Sequence, residues 1–489
     1  MLILTLILFP FLTGILLLGS RQSNARPLAL LSSLVSLGLA IACWVAFKNH
    51  QNDLLTFKTP WIPGIGSSFF VSLDGISLLL VTLTNFLLPF IIFSSLAKDH
   101  KNPRVFYGLI SFMQFALLGV FSAMDGLLFY VFWELALIPI WFICLLWGEK
   151  DSPRITLKFF IYTLAGSLFM LIGLLFVYQF TQNNGAKSFH LSDLYQAGAT
   201  LTAGQQTFVF WCLFLAFAVK MPVFPFHTWQ PDTYTSAPTA GTMLLSGIML
   251  KMGTYGVLRW LLPMVPTGTS EWASVAIGLS VAGIIYASCL ALVQKDFKRL
   301  IAYSSIAHVG LISAGMFSMT AEGLSGSVIQ MLSHGVNVVA LFFICDLLME
   351  KTGTRIISEL GGLRTKAPVF AVFFLIVLLG SVALPLTNGF VGEFLLLTGL
   401  FQYSFWAAAL AGLTVVLGAV YMLRSYQGIM LGAGGNKSET FTEAGKKEWW
   451  VLLPLAMVVL FFGIYPAPLL EVIQAPVQEL FELINAGIK

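Results

Sequence analysis

Charge is what this sequence has least of. Only 10% of its 489 residues are Asp, Glu, Lys or Arg, where an average chain has about 25%. With 58% hydrophobic residues and a mean hydropathy of +0.88, a soluble globular domain is excluded and a polytopic membrane protein follows. The net charge of +4 is small and scattered through loops, which leaves no basic surface for nucleic acid. Cys43, Cys144, Cys212, Cys289 and Cys345 stand singly in apolar runs without CxxC spacing. They form neither a metal site nor a disulfide framework and are expected to be core packing. No Gly-rich phosphate loop or dinucleotide fingerprint follows a strand, which argues against nucleotide chemistry in this chain. Residues 1–20 lack a basic n-region and are nearly long enough to span, so they read as a retained helix and not a cleaved signal.

What is present is a series of apolar runs of membrane-spanning length. About fourteen transmembrane helices are expected, over 2–20, 27–48, 75–97, 105–123, 126–147, 154–180, 207–229, 237–263, 272–293, 299–318, 324–348, 367–402, 404–431 and 448–470. Two spans should be broken. Pro222 and Pro225 follow Lys220 and remove backbone donors. Span 367–402 is too long for one straight crossing and contains Pro385 and Gly389 in LPLTNGFVGEF. These breaks lie five spans apart. An odd number of helices per unit inverts the second copy, so the expected fold is all-α with two inverted five-helix repeats, each with a broken helix. The domains are then 1–100, three N-terminal helices; 105–263 and 272–431, the two repeats, each a half-channel; and 445–489, a C-terminal helix and tail.

Positive charge sets the orientation. The odd-numbered loops hold Lys98, Lys101 and Arg104, then Lys295, Lys298 and Arg299, then Lys351, Arg355, Arg364 and Lys366, while the even-numbered loops hold little beyond Lys48, Lys58 and Lys187. The odd loops are therefore cytoplasmic and both termini lie on the other side. The turn after the first break carries Asp232 and no Lys or Arg; a loop without its charges suits backbone folded back into the protein.

Lys220 and Lys251 lie deep in apolar runs, where a cation costs about 2.5–3.5 kcal/mol even on lenient insertion scales. A Pro kink with two snorkelling lysines is the bland alternative, but about eight apolar-rich residues flank Lys251 on either side, beyond the reach of its stem. Glu134 sits about two turns inside its span, His308 and His334 lie inside theirs, and Glu393 follows the second break. Either histidine alone reads equally well as a hydrogen-bonded core residue. Together the six form a series, Glu, Lys, Lys, His, His, Glu, on successive helices at similar depth, as a proton path requires. Asp74 and Asp125 fall at span ends, where a solvated or capping role is expected, and Arg259 is close enough to the interface to snorkel. His308 and His334 make only one possible pair of haem ligands, so haem is not expected.

The run KMPVFPFHTWQPDTYTSAPTAGTMLLSGIMLKMGTYGVLR, with FWE around Glu134, DFKRLIAYSSIAHVG and NGFVGEF, resembles the antiporter-like membrane subunits shared by respiratory complex I and multisubunit cation/proton antiporters. The likeness covers essentially the whole chain. Most members have a lysine at the second break, whereas the chain M-type branch of NADH:quinone oxidoreductase has a glutamate, as here at Glu393. The resemblance implies a proton-translocating membrane-arm subunit working through Glu134, Lys220, Lys251, His308, His334 and Glu393. It further implies no cofactor in this chain, with flavin, iron–sulfur clusters and quinone in partner subunits. The partners it implies are other membrane-arm subunits, further antiporter-like chains among them, and the lipid bilayer, in a bacterial inner membrane. A cation/proton antiporter or a membrane-bound hydrogenase-type complex is the alternative assembly. Tyr234 departs from the pattern, standing where many members have a histidine after the Pro-Asp pair.

Overall fold

The computed structural model describes residues 1–96, 98–182, 186–435 and 437–488. Helices occupy the apolar runs because a lipid environment requires every backbone N–H and C=O to be satisfied within the segment. In chain order they begin with α1 (Leu2–Gly19), α2 (Gln22–Lys48), α3 (Gly75–Ser95), α4 (Pro103–Ser122), α5 (Gly126–Trp147) and α6 (Ser152–Tyr178). Next come the short α7 (Leu191–Thr200), α8 (Ala203–Lys220), α9 (Gln230–Ser236), α10 (Thr239–Leu244) and α11 (Lys251–Gly256). After these, leaving aside the four-residue helices Asn52–Leu55 and Leu363–Lys366, come α12 (Pro266–Val293), α13 (Phe297–Phe317), α14 (Ala321–Thr352), α15 (Pro368–Ser381), α16 (Asn388–Tyr403), α17 (Phe405–Ala411), α18 (Leu413–Met430), α19 (Lys446–Ile464) and α20 (Ala467–Ile488). Among the described residues twelve helices are long and apolar enough to span. Two composite segments, α10 with α11 and α15 with α16, bring this to the fourteen expected.

Both breaks fall where proline dictates. Helix α8 stops at Lys220 and no α-helix resumes until Gln230; α15 stops at Ser381 and α16 starts at Asn388. Helix α11 is flanked by two π-helical turns, Leu245–Met249 and Val257–Leu261, a wide geometry that recurs at functional sites. Capping fixes several starts. Asp74 accepts from the Ser77 amide, Asp125 from those of Leu127 and Leu128, and Thr202 forms a capping box with Gln205. The two aspartates are thus caps, as their position at the span ends implied.

By their contacts the residues form two compact units. Unit 1 comprises Met1–Met221, Ile248–Ser274 and Val472–Lys489; unit 2 comprises Pro222–Gly247 and Val275–Glu471. Unit 1 holds a feature outside the hydropathy reading, an antiparallel hairpin of β1 (Thr56–Ile62) and β2 (Ser67–Ser72). Asp125 clasps it by accepting from Ser67 Oγ at 3.0 Å and Ser68 N at 2.9 Å, and His190 Nε2 lies 3.0 Å from Ser68 Oγ. The final helix α20 is likewise new, since its Pro476, Gln and Glu residues keep it from reading as a span. From Val472 onward it packs within unit 1, so close to α3 that a Cβ on Gly75 would collide with the Val472 carbonyl.

Unit 2 is built on α14, buried along its length. The turn without Lys or Arg does fold back into the protein. Its helix α9 is buried on most positions, and helix α13 supplies the charges the turn lacks. Lys298 Nζ donates to the carbonyls of Thr235 at 3.1 Å and Ala237 at 2.7 Å, and Arg299 pairs with Asp232 at 3.2 Å. Four cysteines are buried, but Cys289 is exposed on the outer side of α12, so core packing does not hold for it. Exposure of a small polarisable side chain towards lipid costs little, which is why spacing alone misreads it.

Candidate functional site

In unit 1 three of the six residues converge at the first break. Lys220 is the last residue of α8 and Lys251 the first of α11; they are 3% and 0% exposed, so neither snorkels. The close approach of these two elements needs glycine, because a Cβ on Gly253 would stand 2.8 Å from Met221 N and 3.0 Å from Phe217 O. Glu134 projects from α5. Its carboxylate feels the Lys220 charge and the Ser167 hydroxyl, but no direct hydrogen bond joins Glu134 to Lys220. Among the described residues neither Lys220 Nζ nor Glu134 Oε1 has a hydrogen-bond partner. The ammonium lies instead 5.4 Å from the centre of the Trp133 ring, a cation–π position.

Farther along the same segment Arg259 does not snorkel to solvent. It pairs with Asp74 at the start of α3, its side chain 17% exposed. Burial pushes the Asp74 carboxyl up, but the Arg259 charge and the Ser77 donors outweigh it and hold the carboxyl below its usual value. Tyr195 from α7 donates to the Arg259 carbonyl, and Tyr255 Oη lies 3.2 Å from Ser77 Oγ.

In unit 2 the other three residues meet beside the second break. His308 Nδ1 is 2.9 Å from Glu393 Oε1, and Gln330 Nε2 donates to the same oxygen at 3.1 Å. Ser305 Oγ is 2.9 Å from His334 Nε2, and the two imidazole centres are 6.1 Å apart. Glu393 is 2% exposed and each histidine 5%. Helix α16 approaches α14 this closely because residue 392 is glycine; a Cβ there would lie 2.4 Å from Gln330 Oε1. At the break Ser333 Oγ donates to the Asn388 carbonyl at 2.9 Å, tying the start of α16 to α14. Ser304, Ser305, His308, Gln330, His334 and Asn337 line one narrow cavity.

Chemically, each unit places a carboxyl group near buried basic side chains, groups of the kinds that can carry protons. The sequence reading found all six ionisable members and missed their neutral partners Ser305, Gln330 and Asn337. Those stand three positions before His308, four before His334 and three after His334. Helical spacing puts each on its histidine's face, and that was the signal to use.

Residues 123–418 match the family described as NADH:quinone oxidoreductase/Mrp antiporter, TM. The chain is 42% identical over 455 residues to NADH-quinone oxidoreductase subunit M of Rickettsia conorii, covering 92% of this chain and 91% of the relative. It is 37% identical to the subunit M of Rhodobacter capsulatus over 96% of this chain and 93% of that one. Its structure superposes on a chain of respiratory complex I from Thermus thermophilus with a TM-score of 0.90 and 32% identity, over 99% of this chain and 100% of the other.

Proposed function

Because the chain belongs to the family of membrane subunits that NADH:quinone oxidoreductases share with Mrp antiporters, we propose that Glu134, Lys220, Lys251, His308, His334 and Glu393 carry its protons. The chain is a proton-translocating, antiporter-like membrane-arm subunit of NADH:quinone oxidoreductase, an integral multi-pass protein that works beside other membrane-arm subunits. The observation that carries the residue assignment is the repetition of one arrangement. Each unit places a carboxylate, half-buried at Glu134 and buried at Glu393, and buried basic groups near a broken helix.

In this reading Lys220 exchanges its proton between Glu134 and the next group. Its lack of a fixed partner supports that role, since a lysine locked in an ion pair would resist release. Glu393 receives a proton from His308 through the Nδ1–Oε1 hydrogen bond and holds it beside Gln330. Moving a charge across the membrane costs about 2.3 kcal/mol per 100 mV, so occupancy must be biased by neighbouring charges and not by affinity alone. Residues 105–263 and 272–431 are the two repeats, each a half-channel, flanked by 1–100 and 445–489. The chain itself binds no cofactor; redox chemistry and quinone belong to partner subunits. The membrane is a bacterial inner membrane, with both termini on the non-cytoplasmic side, as the loop charges favour.

The test is proton uptake by the intact complex in vesicles, measured beside quinone reduction in the same preparation. Lys220→Ala and Glu393→Gln should each assemble and lose coupled pumping. Wild-type pumping in both assembled variants overturns the assignment.

A further inference from the structure

The cavity around His308 and His334 is narrow. About 10 Å³ of it is open to the centre of a water molecule, room for roughly one water. A second crevice of about 380 Å³ lies in the same unit, with Gln294, Lys295, Ser358, Arg424 and Gly428 among its walls. It is at the end that carries the positive loops, and Lys295 and Arg424 are exposed at its mouth.

One side chain belongs to both spaces. Tyr421, on α18, lines the crevice, is 1% exposed, and donates its hydroxyl to Ser304 Oγ at 3.0 Å. Ser304, on α13, lines the histidine cavity together with its neighbour Ser305, which contacts His334. The floor of the crevice is therefore a phenol whose only polar end is bonded to a hydroxyl facing the buried site.

We propose that the Tyr421–Ser304 hydroxyl pair is the proton inlet joining the basic crevice to the His308–His334–Glu393 cavity. Tyr421 passes its hydroxyl proton to Ser304 Oγ while taking one from the crevice, and Ser304 releases its own proton to the cavity. Each oxygen keeps one proton, and rotation of the two hydroxyls restores the starting state. Metal ions cannot follow such a relay, and Lys295 and Arg424 repel cations at the mouth. The inference rests on the proton-carrying role proposed above for the cavity.

The experiment uses the intact complex in vesicles, with proton uptake measured beside quinone reduction. Tyr421→Phe keeps the ring and removes the hydroxyl; Ser304→Ala removes the acceptor, and Ser304→Thr keeps it. Coupled uptake should fall at least about 10-fold in the first two, a conservative share of what a positioned proton donor contributes, and recover in Ser304→Thr. A merely structural hydroxyl would not be rescued in this pattern. Should these variants assemble poorly, Lys295→Cys in a Cys289→Ser background is labelled after assembly with a bulky, impermeant thiol reagent from the positive-loop side. Labelling should slow uptake, and wild-type uptake by the fully labelled complex overturns the inlet. If Tyr421→Phe and Ser304→Ala pump normally while Glu393→Gln does not, the inlet is overturned and the cavity's role stands. If Glu393→Gln pumps normally as well, both fall.

Discussion

Glu393 Oε1 receives two donors at once, His308 Nδ1 at 2.9 Å and Gln330 Nε2 at 3.1 Å, while Oε2 has no hydrogen-bond partner among the described residues. The oxygen to which His308 is proposed to pass its proton is thus also held in place by Gln330. A glutamine at this place can accept the same two hydrogen bonds through its amide oxygen but cannot exchange a proton. Glu393→Gln should therefore fold and assemble normally while coupled uptake drops at least about 10-fold. Normal uptake at normal quinone turnover would show that the carboxylate serves packing alone.

Lys220 offers the reverse experiment. Among the described residues its buried ammonium has no hydrogen-bond partner, so its removal breaks no hydrogen bond and relieves a burial cost of about 2.5–3.5 kcal/mol. Lys220→Met is expected to abolish coupled pumping with a Tm no lower than wild type in the same detergent. A clear fall in Tm would mean that the lysine is structural.

The pairing of Asp74 with Arg259 carries a pH signature. Burial raises the Asp74 carboxyl, but Arg259 and Ser77 hold it below its usual value. A depressed carboxyl stabilises the folded state above the unfolded value of about 3.9, and this stabilisation is lost as the pH falls through the folded value. Asp74→Asn should lower stability at neutral pH by about 1–3 kcal/mol, a partly exposed version of breaking a buried pair. The gap between variant and wild type should close in acid. A series of Tm measurements from about pH 7 to about pH 3 reads it directly, and a gap that does not change with pH excludes the assignment.

The clasp on the hairpin should respond nearer neutrality. Burial, then the Lys58 charge, depress the His190 imidazole, against a smaller opposing pull from Asp125 and Asp193. Lys58 Nζ lies 3.4 Å from Nδ1, which suits a neutral ring that accepts there and donates from Nε2 to Ser68. The unfolded state then binds more protons below about pH 6.5, so the clasp weakens as the pH falls through that value. Hydrogen exchange at the Ser68 and His190 amides should be faster at about pH 5.5 than at about pH 7.5, beyond the intrinsic change. Equal protection at both values would remove the histidine from the clasp.

Much of this architecture was legible because lipid imposes a simple rule on sequence. Helix α5 coincides with the expected 126–147, and both breaks sit where Pro222 and Pro385 put them. The hairpin escaped because a search for long apolar runs cannot see the six residues of β2, SSFFVS. The final span was expected to run to residue 470, yet α19 ends at Ile464 and α20 is a separate helix. Depth within a run pointed to the six ionisable residues, five of them buried and Glu134 half-buried. It could not assign their partners, since these come from distant parts of the chain. Arg259 finds Asp74 across 185 positions, and Lys220 rests on the Trp133 ring without touching the adjacent Glu134. The length and direction of each side chain decide which neighbour it meets.

The division of the chain between the two units bears on how the protein is made. Unit 1 includes residues from Val472 onward, while Val275–Glu471 belong to unit 2. During synthesis the first unit to begin is therefore not complete until the second has passed through the translocation machinery. Gly75 waits for the Val472 backbone it packs against, and Thr267 waits for the Gly487 carbonyl that its hydroxyl donates to at 3.1 Å. Domain-by-domain folding from the N-terminus, the usual safeguard of long chains, is not open to this protein. A nascent chain stalled anywhere in unit 2 exposes an unfinished unit 1, a mark by which cellular quality control can tell a partial product from a finished one.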